Sequence, residues 1–378
     1  MKVIAFYLPQ FHRTKENDEW WGKGFTEWEN MKNAKPQYEG HSQPRIPLDY
    51  NYYDLLDDNV KKWQIKLAKE NGLYGFCVYH YWFEGKQLLQ KPMEQYLKNK
   101  ELDFPFCFSW ANETWTNAWA MDAKKRKVLA LQTYGGEEAW KRHFEYLLPF
   151  FKDKRYIRID NKPLMVIYRP ELIKCLNPMI DFWQKLAKEH GLAGLTIASQ
   201  HRYFALDKKL DKSRIDFMIE YQPAFAFYDS SAKFRMVVQN LKMKILDIYE
   251  MITGKSLRNS LKKLEKTDYD KIWQNVIKRS PMNKKMIPGA FVDWDNTPRY
   301  GSKGSVLVGG NPDKFKKYFK EQLVHARKDY EKDMIFIFAW NEWAEGGYLE
   351  PDTENDDRYL KAIKESLVET GEWESNIL

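Results

Sequence analysis

Short apolar runs, separated by longer segments with an amphipathic pattern, recur along the whole chain. The runs are rich in Val, Ile and Phe without clean alternation, which is typical of parallel strands covered on both faces. Turn-forming residues bound most of them. On this pattern we predict eight strands, at Val3–Leu8, Gly75–Tyr79, Phe104–Ser109, Leu164–Tyr168, Leu195–Ser199, Phe217–Tyr221, Met286–Val292 and Met334–Ala339.

The segments between these runs predict helices. Apolar residues recur in them at helical spacing, and a glycine can follow the last apolar position, as Gly72 and Gly191 do. The predicted helices are Tyr53–Asn71, Ala139–Phe151, Pro178–His190, Pro312–Tyr330 and Asp356–Thr370.

This alternation of strands and helices predicts an α/β chain, a (β/α)8 TIM barrel with long βα loops. The run Tyr228–Met282 is too long for a simple crossover, so we predict a helical insertion there, after strand six. We interpret residues 1–378 as one catalytic barrel domain.

Polar and aromatic residues follow nearly every predicted strand, and in such a barrel the active site lies at the carboxyl ends of the strands. The sequence therefore predicts a polar, tryptophan-lined funnel at one face. The aromatic share of 16% suits such a cleft, although a large barrel core would also use it. The predicted substrate-binding residues are Tyr7, Gln10, His12, Trp28, His80, Tyr81, Trp82, Trp110, Asn112, Glu113, Arg169, Gln200, His201, Asp293, Asp295, Trp340 and Asn341.

Glu342 and Glu345 are the predicted catalytic pair. They follow the last apolar run and stand among two tryptophans, an asparagine and a double glycine. Carboxylates beside tryptophan suit glycosidic-bond chemistry, which uses two carboxyl groups and stacks sugar rings on indole. In a helical turn, residues three apart face the same way, with Cβ atoms about 5–6 Å apart. In an extended backbone they would face opposite ways. An exposed loop, or pairing with an arginine, is the alternative.

Two other acidic sites have competing interpretations. Glu113 follows strand three and either orients substrate hydroxyls or pairs with an arginine or a cap. Asp293 and Asp295 resemble an aspartate pair that holds a divalent metal, but so short a pattern is common in turns, and hydroxyl binding is favoured.

Three histidines and one aromatic loop complete the candidates. His12, His80 and His201 each follow a strand, but without HxH or HExxH spacing we favour bonds to sugar hydroxyls over zinc, and a buried core histidine is the alternative. The loop Trp20–Trp28 is predicted to be a substrate wall or lid, or else a small core that caps the barrel. No metal ion and no cofactor is predicted.

The charge pattern argues against nucleic acid as a partner. The net charge is +8, but the lysines are scattered rather than clustered. The densest basic region, Lys242–Lys285, also contains acidic residues, which is typical of a solvated helical face. A peripheral contact of that region with a membrane surface or an acidic glycan stays open. The expected partner is an oligo- or polysaccharide.

The three cysteines have neither metal-binding nor disulfide-framework spacing, which fits a reducing compartment. No apolar run approaches the roughly 20 residues of a membrane span, and no signal-peptide pattern opens the chain. These patterns predict a cytoplasmic protein without a transmembrane segment.

Several motifs together resemble the WbsX family. They are Ala5–His12, Gly24–Trp28, Trp110–Glu113, Asp295–Arg299 and Trp340–Gly346. Members of this family often sit in bacterial surface-polysaccharide gene clusters, and many carry the name glycosyltransferase by association. The family is similar to glycoside hydrolase family 99, the endo-acting α-mannosidases and mannanases, which are TIM barrels.

The resemblance implies a retaining hydrolase acting on an α-glycosidic bond through a 1,2-anhydro sugar. Glu342 would be the base toward the sugar's own 2-hydroxyl, and Glu345 the general acid and then base. Ala344 stands where the related family often has histidine. For these roles we expect Glu345 to lie in the more apolar position, protonated at rest, and Glu342 to stay ionised.

Two other function classes stay open. A glycosyltransferase in O-antigen, capsule or lipopolysaccharide biosynthesis is the first, although the chain has no GxGxxG fingerprint of a nucleotide-binding half. A catalytically inactive glycan-binding protein is the second, and intact Glu342 and Glu345 argue against it.

Overall fold

The computed structural model describes residues 1–117, 127–202, 210–227 and 263–373. Within them, eight strands form one parallel ring, and every strand is hydrogen-bonded to the next. The strands are β1 (Lys2–Tyr7), β2 (Leu73–Phe83), β3 (Phe106–Trp110), β4 (Lys162–Ile167), β5 (Thr196–His201), β6 (Phe217–Glu220), β7 (Met286–Ile287 and Gly289–Phe291) and β8 (Met334–Phe338).

The ring closes through β7, which is interrupted at Pro288. Its first piece pairs with β6 and its second with β8, and β8 pairs with β1. Proline has no N–H to give to a sheet ladder, which accounts for the break. A Cβ on Gly289 would lie 1.8 Å from the carbonyl oxygen of Glu220, so only glycine allows these two strands to approach here.

Helices lie between the strands and bury their apolar faces. In the helix Pro312–Lys328, for example, the buried side chains include Phe315, Phe319 and Leu323. The helices are α1 (Lys15–Trp21), α2 (Glu27–Lys32), α3 (Asp58–Glu70), α4 (Lys91–Lys98), α5 (Glu137–Lys152), α6 (Leu176–Glu189), α7 (Ala224–Phe227), α8 (Tyr269–Ile277), α9 (Thr297–Tyr300), α10 (Pro312–Lys328) and α11 (Arg358–Glu369). The predicted fold class, a (β/α)8 barrel, is confirmed.

Aromatic side chains fill the interior of the ring. The Phe6 ring lies 5.9 Å from that of Tyr79 and 5.2 Å from that of Tyr221, which in turn lies 5.5 Å from Phe338. The hydroxyls of Tyr79 and Tyr221 are 2.8 Å apart. Aromatic rings therefore form the core of the barrel, with polar tips toward its open end.

Several predicted boundaries differ from those of the structure, and the largest differences are in β2 and α3. β2 continues to Phe83, so His80, Tyr81 and Trp82 belong to the strand rather than to the loop after it. α3 begins at Asp58, not at Tyr53, because the side chain of Asp57 accepts a hydrogen bond from the Asn59 N–H and caps the helix there.

The predicted insertion after strand six is described only in its last part, since residues 228–262 lie outside the described residues. Residues 265–268 form a strand that pairs in parallel with residues 305–308, and α8 follows as the helix between β6 and β7. No helix within the described ranges has the length and apolar character that crossing a membrane requires.

Candidate active site

A cavity of about 340 Å³ opens at the carboxyl ends of the strands. Five predicted site residues line it, namely Gln10, Tyr81, Glu113, Glu342 and Glu345. The rest of its lining is Leu8, Asn17, Trp21, Phe25, Glu27, Tyr79, Ala111, Thr114, Trp115, Thr116, Leu129, Tyr168, Tyr221, Arg299 and Tyr300.

Glu342 and Glu345 are carried by a short hairpin directly after β8. Residues Asn341–Glu342 pair in antiparallel fashion with Gly347–Tyr348, and Trp343–Glu345 form a 3-10 turn between them. Gly346 ends the turn with φ of 70°, and a Cβ on it would lie 2.7 Å from the Asp295 nitrogen. Glu342 directly precedes this turn and Glu345 is its last residue, and both residues line the cavity.

Arg299, in the last turn of α9, joins three carboxyl groups. Its Nη1 donates to Glu345 Oε1 at 2.7 Å and its Nη2 donates to Glu27 Oε2 at 3.1 Å. Glu342 Oε2 lies 3.9 Å from the same Nη2. One cation therefore faces three carboxyl groups, and the negative charge of the cluster exceeds the positive charge.

Sequence reasoning missed Arg299 and Glu27 as site residues, although both lie in the motifs that carry the family resemblance. A signal was present, because two carboxyl groups buried side by side need a nearby cation. The partner could not be chosen from the sequence, since Arg299 and Glu27 are 272 positions apart.

The two predicted catalytic carboxyls differ in burial. The side chain of Glu342 is 7% exposed and that of Glu345 is 22% exposed. Burial raises the pKa of Glu342 well above its usual value, the charge of Glu345 raises it further, and Arg299 opposes both. The expectation that Glu345 lies in the more apolar position is therefore wrong. Glu342 ends the first strand of the hairpin, whereas Glu345 is the last residue of the turn that follows, where more of its side chain is exposed.

Tyrosines and other aromatic side chains form the floor and one wall of the cavity. The floor contains Tyr79, Tyr168 and Tyr221, whose rings meet edge to face. Gln10 Nε2 donates to the Tyr81 hydroxyl at 2.9 Å. In the predicted aromatic loop, Trp21 and Phe25 line the cavity beside Trp115 and Tyr300. These groups offer stacking faces and hydrogen-bonding hydroxyls in one space.

The opposite rim carries a second ion pair. Arg169 donates to Glu113 through Nη1 and to Glu171 through Nε. Asn112 holds this arginine in place, since its Oδ1 accepts from the Arg169 N–H and its Nδ2 donates to the Arg169 carbonyl, both at 2.8 Å. Glu113 thus has the arginine partner that the sequence left open, and it also lines the cavity.

The three predicted histidines lie outside the cavity lining. His12 is 1% exposed, and burial lowers its pKa to about 4. His80 faces outward from β2, where its Nε2 is 2.9 Å from Nε2 of His143. The His201 ring lies 4.9 Å from that of Phe225. All three are buried, and the structure does not bring them together.

Several predicted aromatic residues support the barrel rather than line the cavity. The Tyr7 hydroxyl donates to Gln64, and Trp82 stacks on His143 with ring centroids 4.6 Å apart. Three further indoles donate to acceptors in the core: Trp28 to the Tyr53 carbonyl, Trp110 to the Trp82 carbonyl, and Trp340 to the Glu350 carboxylate.

Two predicted amide residues are also held within the protein. Gln200 Nε2 donates to Ser109 Oγ at 3.1 Å. Asn341 fixes the start of the hairpin, because its Oδ1 accepts from the Leu8 N–H at 2.7 Å and its Nδ2 donates to the Leu8 carbonyl at 3.0 Å. Asn341 therefore connects β8 to the end of β1.

Asp293 and Asp295 are bound by the segment before α3. Arg45 donates to Asp293 Oδ2 at 2.7 Å. Asp295 has no exposed surface, and its backbone N–H donates to the Glu345 carbonyl at 2.7 Å. The side chain of Asp295 accepts hydrogen bonds from His41, Gln43 and Thr297. Across the described ranges, no group of three or more His, Cys, Asp and Glu side chains is arranged to hold a metal ion.

Comparisons with known proteins agree with the sequence motifs. A family model described as Glycosyltransferase WbsX matches residues 3–363. A protein of Xanthomonas campestris pv. campestris, named Uncharacterized protein WxcX, is 32% identical over 369 residues, which are 97% of this chain and 49% of that protein. The chain thus spans about half the length of the curated relatives it matches.

Solved structures share the fold at low identity. A glycoside hydrolase-like protein aligns with a TM-score of 0.57 and 13% identity, covering 97% of this chain and 93% of that one. The GH99 endo-alpha-mannosidase from Bacteroides thetaiotaomicron aligns with a TM-score of 0.53 and 15% identity, covering 98% and 97%. Identities this low show a common barrel fold and nothing more.

The hydrogen bonds around Asp295 predict a pH-dependent contribution to stability. Burial alone would raise its pKa, but the bonds from His41, Thr297 and Gln43, together with the charge of Arg45, lower the pKa of Asp295 to about 2. Because the folded-state pKa is depressed, this contribution is complete above the unfolded value of 3.8 and is lost as pH falls toward 2. We expect Asp295→Asn to lower the free energy of unfolding by about 2 kcal/mol at pH 7.

Urea unfolding at pH 7, 5 and 3 measures the difference in the free energy of unfolding between the wild type and Asp295→Asn. We expect this difference to become smaller between pH 5 and pH 3. Asp313→Asn, at an exposed position in the first turn of α10, is the control. Equal losses of unfolding free energy in Asp295→Asn and Asp313→Asn at pH 7 would contradict the predicted contribution of the hydrogen bonds to Asp295.

Proposed function

The chain belongs to the WbsX family, and on that premise we propose that it is a carbohydrate-active enzyme that cleaves an α-glycosidic bond in a bacterial polysaccharide with retention of configuration. One observation carries the proposal: Glu342 and Glu345 lie on a single turn and both face the cavity at the strand ends. Retaining glycoside hydrolysis needs such a pair of carboxyl groups.

The cavity suits a sugar ring. Its volume of about 340 Å³ falls in the range of small-molecule sites. Trp21, Phe25 and Trp115 provide apolar faces on which sugar rings stack, and the hydroxyls of Tyr79 and Tyr221 can exchange hydrogen bonds with sugar hydroxyls.

Glu342 is proposed as the base toward the 2-hydroxyl of the sugar. The 3.9 Å to Arg299 is too long for a hydrogen bond, and among the described residues no donor bonds to its Oε2. The Arg299 guanidinium therefore attracts the negative charge of the Glu342 carboxylate without a hydrogen bond to Oε2. Because burial raises the pKa of Glu342, its carboxylate holds a proton more tightly and is a stronger base than an exposed glutamate.

Glu345 is proposed as the general acid and then base, as the family resemblance implies. In the free protein Arg299 holds its carboxylate, so a proton must reach Glu345 when the substrate binds. When the sugar binds, its 2-hydroxyl would donate to Glu342 and favour the charged form of that carboxyl group. This contact would move the proton retained by the cluster toward Glu345.

The proposed reaction has two steps. First, the 2-hydroxyl gives its proton to Glu342, O2 attacks C1 to form a 1,2-anhydro sugar, and Glu345 protonates the departing oxygen. Second, Glu345 takes a proton from water, the water oxygen attacks C1, and Glu342 returns its proton to O2. Two inversions at C1 give net retention, and both carboxyl groups regain their starting states.

Glycosyl transfer is the competing function, and the family description, Glycosyltransferase WbsX, favours it. The two candidates differ in their requirement for a donor. For hydrolysis we expect new reducing ends when the purified protein meets surface polysaccharide of its own source organism without a sugar nucleotide. For transfer, sugar nucleotides with Mn²⁺ would raise the thermal midpoint. Stabilisation by a sugar nucleotide, with no reducing ends released, would reject the hydrolase proposal.

Substitution of the carboxyl groups tests their roles. We expect Glu342→Gln and Glu345→Gln each to lower kcat by several orders of magnitude, because amides cannot exchange these protons, while the dissociation constant of a bound oligosaccharide changes little. Reducing-end assays and calorimetry measure the two quantities. Glu321→Gln, on the exposed surface of α10, is the control. Near-wild-type activity in either active-site variant would reject the assignment.

Arg299 predicts a change in pH dependence. Arg299→Met removes the cation that contacts all three carboxyl groups, so the pKa of Glu342 should rise further. If Glu342 must be ionised to act, the ascending limb of kcat/KM against pH should move up by about one pH unit or more. Arg214→Met removes a surface arginine paired with Asp181 and should leave the profile unchanged. An unmoved limb in Arg299→Met would contradict the proposed role of the guanidinium.

A further inference from the structure

We propose that Glu350 is a positioning residue for the reaction, and that its carboxylate fixes the catalytic turn by holding the indoles of Trp340 and Trp343. This inference rests on the proposed function for its kinetic consequences. Glu350 is not part of the cavity lining, so it acts through the hairpin and not through contact with substrate.

Four hydrogen bonds fix the orientation of the Glu350 carboxylate. Oε1 accepts from Gln64 Nε2 at 2.7 Å and from Trp340 Nε1 at 2.9 Å. Oε2 accepts from the Tyr53 hydroxyl at 2.8 Å and from Trp343 Nε1 at 2.7 Å. Each oxygen therefore receives two donors, and in each case one donor is an indole that can point only where the N–H bond directs it.

The two indoles flank Glu342 along the chain, and Glu350 also closes the base of the hairpin. The Trp340 carbonyl accepts from the backbone N–H groups of Leu349 and Glu350, at 2.9 and 3.3 Å. Trp343 stacks on Tyr348 with ring centroids 3.8 Å apart. The backbone that carries Glu342 is thus held from both sides by side chains that converge on one carboxylate.

The other two donors anchor this arrangement to the barrel wall. Gln64 lies on α3, and its Oε1 accepts from the Tyr7 hydroxyl of β1 at 2.8 Å. The Tyr53 hydroxyl is also 3.3 Å from Asn341 Nδ2, next to Glu342. The hairpin, β1 and α3 therefore share one hydrogen-bonded network.

Burying a carboxylate at this position has a desolvation cost. Glu350 is 3% exposed, and burial raises its pKa to about 7 although four donors oppose the rise. Apolar side chains would fill a core position without this desolvation cost. A carboxylate, unlike an apolar group, can orient four donors at once. Glu350 therefore contributes more to the orientation of its four donors than to the stability of the fold.

Glutamine at this position cannot reproduce the contacts. If its NH₂ group replaces Oε2, the Tyr53 hydroxyl can rotate to accept from it, but the Trp343 indole cannot. If the NH₂ group replaces Oε1, Gln64 can flip its amide, but the Trp340 indole cannot. In either orientation one indole N–H faces another N–H, so the turn must shift.

This conflict gives a sharp test. We expect Glu350→Gln to lower kcat by about 100-fold while KM and oligosaccharide affinity stay near wild type, because small displacements of reacting groups have effects of this size. Adding Trp343→Phe should recover part of the loss, since the glutamine can then turn its NH₂ group toward Tyr53 alone. Glu354→Gln, at an exposed position nearby in the chain, is the control.

Wild-type kcat in Glu350→Gln, or loss of binding equal to the loss of kcat with no recovery in the double variant, would overturn the inference. If Glu350→Gln does not fold, Trp340→Phe and Trp343→Phe decide the question, because each removes one indole donor. Each should lower kcat at unchanged KM, and wild-type kcat in both would reject the positioning role.

A second readout does not need activity. In the wild type, the indole N–H protons of Trp340 and Trp343 should exchange slowly with solvent, and one of them should lose this protection in Glu350→Gln. Hydrogen exchange followed by NMR measures it. A wild type that releases no reducing ends would defeat the proposed function but not this inference. Unchanged protection of both indoles would defeat the inference itself.

Discussion

One guanidinium that faces two buried carboxyl groups, Glu27 and Glu342, and a partly exposed one, Glu345, is the constraint on which the site depends. Arg299 can make close contacts with Glu345 and Glu27, and its distance to Glu342 is 3.9 Å. Buried charge is unfavourable without a partner, so the cluster favours keeping a proton. Under the proposed mechanism the site must both give and take protons, and the imbalance of charge supplies such a reserve. Among the described residues, no histidine lines the cavity.

Hydrogen bonds from several parts of the barrel hold the segment that carries Glu342 and Glu345 in a fixed geometry. Asp295 at the end of β7 binds the Glu345 carbonyl, and Asn341 at the end of β8 binds both backbone groups of Leu8 at the end of β1. Glu350 then gathers the indoles on either side of Glu342. Each of these buried polar residues has at least one partner far away in the chain. The turn between Glu342 and Glu345 is therefore held by three separate parts of the fold.

The sequence predicted the repeating parts of the molecule well. Apolar runs located all eight strands, whereas the spacing of Glu342 and Glu345 left open whether a turn or an extended backbone joins them. The sequence could not show which residues at the strand ends face into the barrel and which face outward. β2 shows why: it continues to Phe83, so successive side chains point to opposite faces, and Tyr81 lines the cavity while His80 and Trp82 pack against His143. Partners such as Arg299 and Glu27 are set by the closed barrel and not by local pattern.

If the substrate is a glycan, as proposed, the hairpin that carries both carboxyl groups also limits how specificity can arise. The separation of Glu342 and Glu345 is set by a 3-10 turn that ends at a left-handed Gly346, so loop movement elsewhere changes it little. Selection among sugars must then come from the walls. These walls belong to other elements, with Trp21 and Phe25 in the segment after β1 and Trp115 in the segment after β3. Loops tolerate change better than a turn held by buried hydrogen bonds, so under the proposed function the same carboxyl pair could serve different glycans on this one scaffold.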